Sequence, residues 1–336
     1  MRRLLCLAVA LASFGTISPA QTITTQTFGT GATAFTMEFV TIGNPNNAAD
    51  TTGSPNPAGS VAYTYSIGKY EVSREQIDKA NSAGSLGLTM YDMTGYGGNG
   101  GSKPATGITW YEAAKYVNWL NTSTGGVAAY KFSGSTFQLW SAGDAGYNAN
   151  NLFRNSLAKY WLPSTHEWYK AAYYKGGGAN AGYWNFATQS DTAPGAVTGG
   201  TAVDTAVYSQ PVNQGPADIS NAGGSSAYGT LGQGGNVWEW TDTFSGQGWT
   251  ENGDVDFMEL RGGYWGSLLG GVFNSAGDAG MSGFGGIESD GIANGYVGMD
   301  EAPSIGFRVA SIPEPSSLSL LALGGVVVGL IRRKRT

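Results

Sequence analysis

Apolar and polar residues alternate with a period of two from Phe35, where Phe35, Met37 and Phe39 interleave with Thr36, Glu38 and Val40. That period predicts a strand. Tyr63, Tyr65, Ile67 and Tyr70 predict a second. Three helix starts follow, each a hydroxyl residue with Glu or Gln three positions on: Ser73 to Gln76, Thr109 to Glu112, and Ser164 to Glu167. This is the capping-box pattern. The first predicts a short helix to about Ala83. The second carries Trp110, Ala113, Ala114, Val117 and Leu120 on one face, as an amphipathic helix does. The third has Trp168, Ala171 and Ala172 as its buried stripe. Ile305–Ala310 alternates like a closing strand. Between these elements lie long Gly-, Asn- and Pro-rich stretches, notably 43–60, 84–103, 125–153, 176–229 and 266–302. Loops of that length are uncommon unless functional or pinned by an ion.

One stretch combines unusual residue types: Gly234-Gly235-Asn236-Val237-Trp238-Glu239-Trp240. The glycines permit a tight turn or positive φ, and Asn236 can hold that turn. In an extended segment Trp238 and Trp240 share one face, and Val237 and Glu239 the other. A Glu facing inward beside Val must be paired, hydrogen-bonded or bound to a cation. Backbone N–H bonds, a structural cation or a role as catalytic acid all remain open at this point.

Composition narrows the chemistry. Glycine accounts for 54 of 336 residues, and charged residues for only 12%. Both depart about twofold from ordinary usage, which fits a loop-rich globule held by aromatic anchors. The net charge of −6 conceals a split. Between Gln21 and Ile312 there are 12 basic and 23 acidic residues, leaving that body at about −11. Such a surface excludes nucleic acid as a partner and is compatible with divalent cations. The single cysteine, Cys6, lies in the N-terminal apolar run, and His166 is the one histidine. Without the leader, the body has no thiol for a disulfide, nucleophile or metal site. His166 stands in a helix start with no second His or Cys at helical spacing.

The ends read as targeting segments. Arg2 and Arg3, the apolar run Leu4–Ala12 and Ser18-Pro19-Ala20 form a secretory signal, cut by signal peptidase between Ala20 and Gln21. At the other end Pro313-Glu314-Pro315 precedes the apolar run Leu318–Ile331 and the basic close Arg332-Arg333-Lys334-Arg335. The run is shorter than the about 20 residues of a typical spanning helix, but it can anchor transiently with its basic end on the cytoplasmic side. This tail resembles the PEP-CTERM sorting signal of Gram-negative bacteria. The resemblance implies export, processing near Pro-Glu-Pro by an exosortase, and delivery to the cell surface or extracellular matrix. A plain C-terminal membrane anchor is the alternative.

Several blocks, in order, resemble the formylglycine-generating enzyme (sulfatase-modifying factor) family. They are Ile67-Gly68-Lys69-Tyr70-Glu71-Val72-Ser73, Lys103-Pro104 through Trp110-Tyr111-Glu112-Ala113-Ala114, Trp161-Leu162-Pro163-Ser164 to Glu167-Trp168, Gly235 to Trp240, Arg261-Gly262-Gly263-Tyr264-Trp265, and Gly306-Phe307-Arg308. The resemblance implies one compact α+β domain, a loop-rich variant of the C-type lectin fold with short strands and two or three helices. The chain then divides into a signal peptide at 1–20, a flexible leader at 21–34, the domain at 35–311 and the sorting segment at 312–336. It also implies a structural calcium held by Gly235, Val237 and Glu239. Family members place Asn or Asp where this chain has Gly232, so Asp242 or water would complete the shell. The oxidase members use two cysteines after Arg-Gly-Gly to bind copper. Ser267 and Val272 stand at about those positions, and neither replaces a thiolate on Cu(I). One histidine cannot form the iron branch's facial triad. Neither copper nor iron chemistry is supported.

These readings point to an exported, non-catalytic surface or matrix protein that binds a ligand, with extracellular polysaccharide or a surface protein as partner. The Gly-rich segments 262–302 and 91–101 form the expected ligand face, with Tyr264, Trp265, Phe273, Phe284 and Tyr296 as its exposed aromatics. The alternatives are an oxidoreductase of the family's own type, or an enzyme using carboxylates such as Glu239, Asp242 or Asp278.

Overall fold

All three helices among the described residues begin at their capping boxes. The computed structural model describes residues 22–52, 56–244, 258–267 and 302–313. Within it α1 spans Arg74–Gly84, α2 Trp110–Ser123 and α3 Thr165–Tyr173. Ser73, Thr109 and Ser164 each accept a backbone N–H from the third helical residue, whose side chain reaches back to the cap. Two donors that a helix start would otherwise leave orphaned are thereby satisfied. The expected stripes are buried: Trp110, Ala113, Ala114, Val117 and Leu120 on α2, and Trp168, Ala171 and Ala172 on α3.

The main sheet is antiparallel, in the order β1-β2-β3-β12-β6. Its strands are β1 Ile23–Phe28, β2 Phe35–Ile42, β3 Tyr65–Gly68, β6 Tyr160–Trp161 and β12 Ala310–Ser311. A second sheet joins β9 Trp238–Phe244 to β10 Met258–Arg261 on one side and β11 Ile305–Phe307 on the other. Two small ribbons complete the set, β4 Lys131–Ser133 with β5 Thr136–Gln138, and β7 Gly195–Ala196 with β8 Thr205–Ala206.

Two expectations need correction. The segment 21–34 is not a flexible leader throughout. Ile23–Phe28 pairs with β2 from Ile23↔Val40 to Phe28↔Phe35. Its β-branched Thr and Ile suit a half-buried edge, and Phe28 anchors it against Phe35 and Tyr160 at 5.6 and 5.1 Å. The closing run is two strands rather than one. β11 pairs in parallel with β9, whereas β12 lies between β3 and β6 in the main sheet. Arg308 and Val309 form the corner between the sheets, both fully buried.

Aromatic packing fixes the interior. Trp110 meets Tyr130 and Phe137 edge to face, with centroids 5.2 and 5.1 Å apart. Buried indoles need an acceptor, and each finds one: Trp110 donates to Thr241 O at 2.9 Å, Trp240 to Ile108 O at 2.8 Å and Trp265 to Val212 O at 3.0 Å. The Gly-rich loop after α1 crosses the 210–216 segment through two glycines. An added Cβ on Gly215 would lie 1.8 Å from Tyr96 O, and one on Gly97 would lie 2.3 Å from Gln214 O. No helix among the described residues is long and apolar enough to cross a membrane. The apolar run 318–331 lies outside them.

Candidate functional site

The corner between the two sheets aims Arg308 at the centre of the signature stretch. Its Nε donates to Glu239 Oε2 and its Nη2 to Glu239 Oε1, both at 2.5 Å. The same guanidinium donates to Gly68 O at 3.0 Å and Leu231 O at 2.8 Å. Trp168 Nε1, from α3, adds a bond to Glu239 Oε2 at 2.7 Å. Both side chains of the ion pair are fully buried. A bidentate, charge-assisted pair of this kind answers the cost of placing Glu239 beside Val237. Asn236 adopts φ +63, accepts from Ala217 N at 2.8 Å and donates to Glu71 Oε2 at 2.7 Å. Glu71 is itself buried, and burial together with the nearby Glu239 charge holds its carboxyl well above the usual range. The Glu71 carboxyl also fills the space where a side chain at 232 would stand, 3.0 Å from a Cβ built on Gly232.

This donor set does not fit a calcium at Gly235, Val237, Glu239 and Asp242. Calcium wants six to eight oxygens, and both oxygens of Glu239 already face N–H donors. The cation at this carboxylate is the guanidinium. Asp242 serves a different arginine, its Oδ2 lying 3.4 Å from Arg154 Nε. Among the described residues no group of three His, Cys, Asp or Glu comes together to hold a metal.

A second buried cluster surrounds Arg154. Its Nη1 donates to Glu167 Oε2 at 3.2 Å, and its guanidinium sits 4.9 Å over the Trp161 ring. Glu167 also accepts from Tyr63 Oη and Ser164 N, each at 2.7 Å, and from Trp161 Nε1 at 3.1 Å. Burial raises the Glu167 carboxyl, but Arg154 and these donors outweigh it and hold it below its ordinary value. Asp242 goes the other way. Burial pushes it up to about 7 against the pull of Arg154, with Asn151 and Tyr130 near enough to lower it slightly although neither oxygen reaches close hydrogen-bond geometry. Two carboxylates on one arginine thus have pKa values driven apart, a pattern that marks functional sites as well as structural networks. Two clefts open near this cluster. One, of ≈ 350 Å³, is lined by Tyr63, Thr64, Asn148, Arg154 and Trp161 among others. The other, of ≈ 270 Å³, is lined by Asn150, Asn151, Phe153, Ser164, Asp242 and Phe244.

Asp242 is expected to make the domain's stability pH-dependent. Folded, it keeps its proton up to about pH 7, whereas its ordinary value is 3.8. The folded state therefore binds more protons between these limits. The contribution is fully present below about pH 4 and is lost as pH rises through about 7, with a ceiling of order 4 kcal/mol. Asp242→Asn is expected to flatten that part of the profile, read as urea midpoints at pH 4.5 and 7.5. Parallel profiles for the two proteins would assign the dependence to another group.

Two members of the expected aromatic face, Tyr264 and Trp265, are buried. Trp265 is buried, its N–H donating to Asn236 O at 3.0 Å, and Tyr264 packs edge-on against it at 5.2 Å. Their area fills the core beside the signature turn instead of facing solvent. Ser267 is buried too, and its Oγ accepts from Tyr264 N at 3.1 Å, closing a turn. His166 keeps one side of its ring open to solvent and packs the other, and its Nδ1 accepts from Gly59 N at 3.2 Å. Burial of the ring and the Arg261 charge hold it below its ordinary pKa. Ala20, Gln21, Val272, Phe273, Asp278, Phe284, Tyr296, Glu314 and Pro315 lie outside the described residues.

Arg154, Glu167 and Glu71 escaped the sequence reading as site residues. Glu167 reads as a cap and is one. Glu71, between Tyr70 and Val72, carries the same signal as Glu239, a carboxylate flanked by apolar residues. Arg154 stands in an irregular stretch with no periodicity to place it.

Residues 24–311 match the family model described as the sulfatase-modifying factor enzyme 1-like domain. Residues 311–335 match the PEP-CTERM protein-sorting motif. That motif marks the chain for export, sorting to the cell envelope and processing by an exosortase. No curated protein matches the chain significantly. Among solved structures, variable protein 1 of Treponema denticola matches with a TM-score of 0.53 at 19% identity, covering 86% of this chain and 99% of that one. CarF matches with a TM-score of 0.54 at 17% identity, covering 83% and 99%. Likenesses at these identities establish the fold alone.

Proposed function

The chain belongs to the sulfatase-modifying factor enzyme 1-like family, and from that premise we propose that it is an exported surface or matrix protein that binds saccharide without the family's oxidase chemistry. The observation that carries the reading is the cleft beside Asp242. Phe153 and Phe244 stack there at 5.7 Å and 29°, half-buried, next to the side chains of Asn150, Asn151 and Ser164. An aromatic platform with convergent amide and carboxyl groups suits a sugar ring and its hydroxyls. The Asp242 carboxyl, which faces Arg154 at 3.4 Å without close hydrogen-bond geometry, can accept from a sugar hydroxyl. The destination is the outer surface or matrix of a Gram-negative cell, in keeping with the sorting motif.

A glycan array probed with the secreted protein tests this. Binding to a defined set of saccharides is expected, and Phe153→Ala with Asn151→Ala should lose most of it while the melting temperature holds. Equal binding by the variant would move the site elsewhere, and an empty array would remove saccharides as the ligand class. A carboxylate-based enzyme is the second reading, favoured by the raised Asp242 beside the ionised Glu167. It requires that the secreted protein turn over the saccharide it binds, and that Asp242→Asn stop turnover without stopping binding.

A further inference from the structure

We infer that the face around Tyr63, Leu157 and Ile312 rests on the lipid headgroup layer while the C-terminal tail is anchored. The inference rests on the reading of 318–331 as a membrane anchor. β12 ends at Ser311 inside the main sheet, and Ile312 N is still bonded to Lys159 O at 3.0 Å. The described domain ends at the next residue, Pro313. Five residues, Pro313–Ser317, separate that exit from Leu318, where the apolar run begins. Fully extended they reach no more than about 18 Å. The headgroup and interfacial layer takes up about 5–8 Å of that distance on each side. The tether therefore holds the exit face within about 10–13 Å of the headgroups.

The side chains at the exit suit this position. Tyr63 is 45%, Leu157 61% and Ile312 49% exposed, three of the large apolar residues that the described surface leaves open. Tyr63 and Ile312 line the ≈ 350 Å³ cleft, and Leu157 follows Ser156 and precedes Ala158 on its rim. Tyr63 presents its ring outward while its hydroxyl donates inward to Glu167. Its ring adds aromatic surface of the type enriched at bilayer interfaces. Lys159 stands beside the exit, half-buried, with its Nζ 5.3 Å over the Tyr160 ring.

The test uses the full chain in vesicles of phosphatidylethanolamine and phosphatidylglycerol doped with headgroup-spin-labelled lipid. Cys6→Ser removes the native thiol, and single cysteines carry an environment-sensitive fluorophore. Leu157→Cys reports the proposed face, Leu321→Cys the tail. Val203→Cys, 81% exposed in the segment before β8, serves as the reference. Loss of fluorescence at 157 and 321 but not at 203 is the expected result. Quenching at 321 with 157 and 203 both bright would overturn the docked face and leave the anchor intact. A bright 321 would overturn the anchor reading, and the inference with it. Quenching at 203 equal to that at 157 would show that no particular face is presented.

Discussion

Arg308→Ala is expected to destabilise the domain by about 3–5 kcal/mol, because it strands a buried carboxylate without its counter-charge. The guanidinium meets both oxygens of Glu239 and the carbonyls of Gly68 and Leu231. It ties the main sheet, the second sheet and the loop before the signature to one point. Arg308→Lys should recover little, since one ammonium cannot reproduce a planar fork with four acceptors. The double variant Arg308→Met with Glu239→Leu should recover a large part, as apolar replacement of a whole buried pair does. Urea denaturation at pH 7 measures all three. A loss below about 1 kcal/mol for Arg308→Ala would place the pair with exposed ion pairs in energetic terms, contrary to its burial.

Gly215→Ala is expected to be nearly as damaging. Gly215 holds φ +68, and its added Cβ would sit 1.8 Å from Tyr96 O, which belongs to backbone and cannot swing away. Overpacking and left-handed strain together suggest about 3 kcal/mol or more. Gly176→Ala provides the comparison, with φ +71 and nothing within 4 Å of the new atom. Only the strain of about 1–2 kcal/mol applies there. Thermal melts of the two variants should therefore separate. Equal melts would mean that the two loops yield without cost where they cross.

Local signals carried much of this fold. The three capping boxes placed all three described helices, because a cap is settled by residues three positions apart. The stripe on α2 was visible for the same reason. What needed distant partners was not legible. The run Ile305–Ala310 reads as one strand, and only the sheets it joins reveal a corner at Arg308. Glu239 could be recognised as an inward charge needing a partner, but not that its partner lies 69 residues on and is an arginine. Tyr264 and Trp265 follow glycines in a loop-like stretch and read as exposed. Their indole and phenol instead pack behind the signature turn, which periodicity cannot show outside regular structure. Ile23–Phe28 was hidden by its Thr-rich composition, and its pairing with β2 supplies what the segment alone lacks.

The proposed reading is that this family scaffold works without the oxidase reaction: the residues after Gln21 include no thiol to hold copper, and Ser267 sits in a buried turn. The direct measurement is mass spectrometry of a cysteine-containing test peptide incubated with the secreted protein, copper and oxygen. The account predicts unchanged peptide at every time point, alike for the wild type and for Ser267→Ala. Copper- and oxygen-dependent conversion of the cysteine to formylglycine, lost in Ser267→Ala, would contradict it.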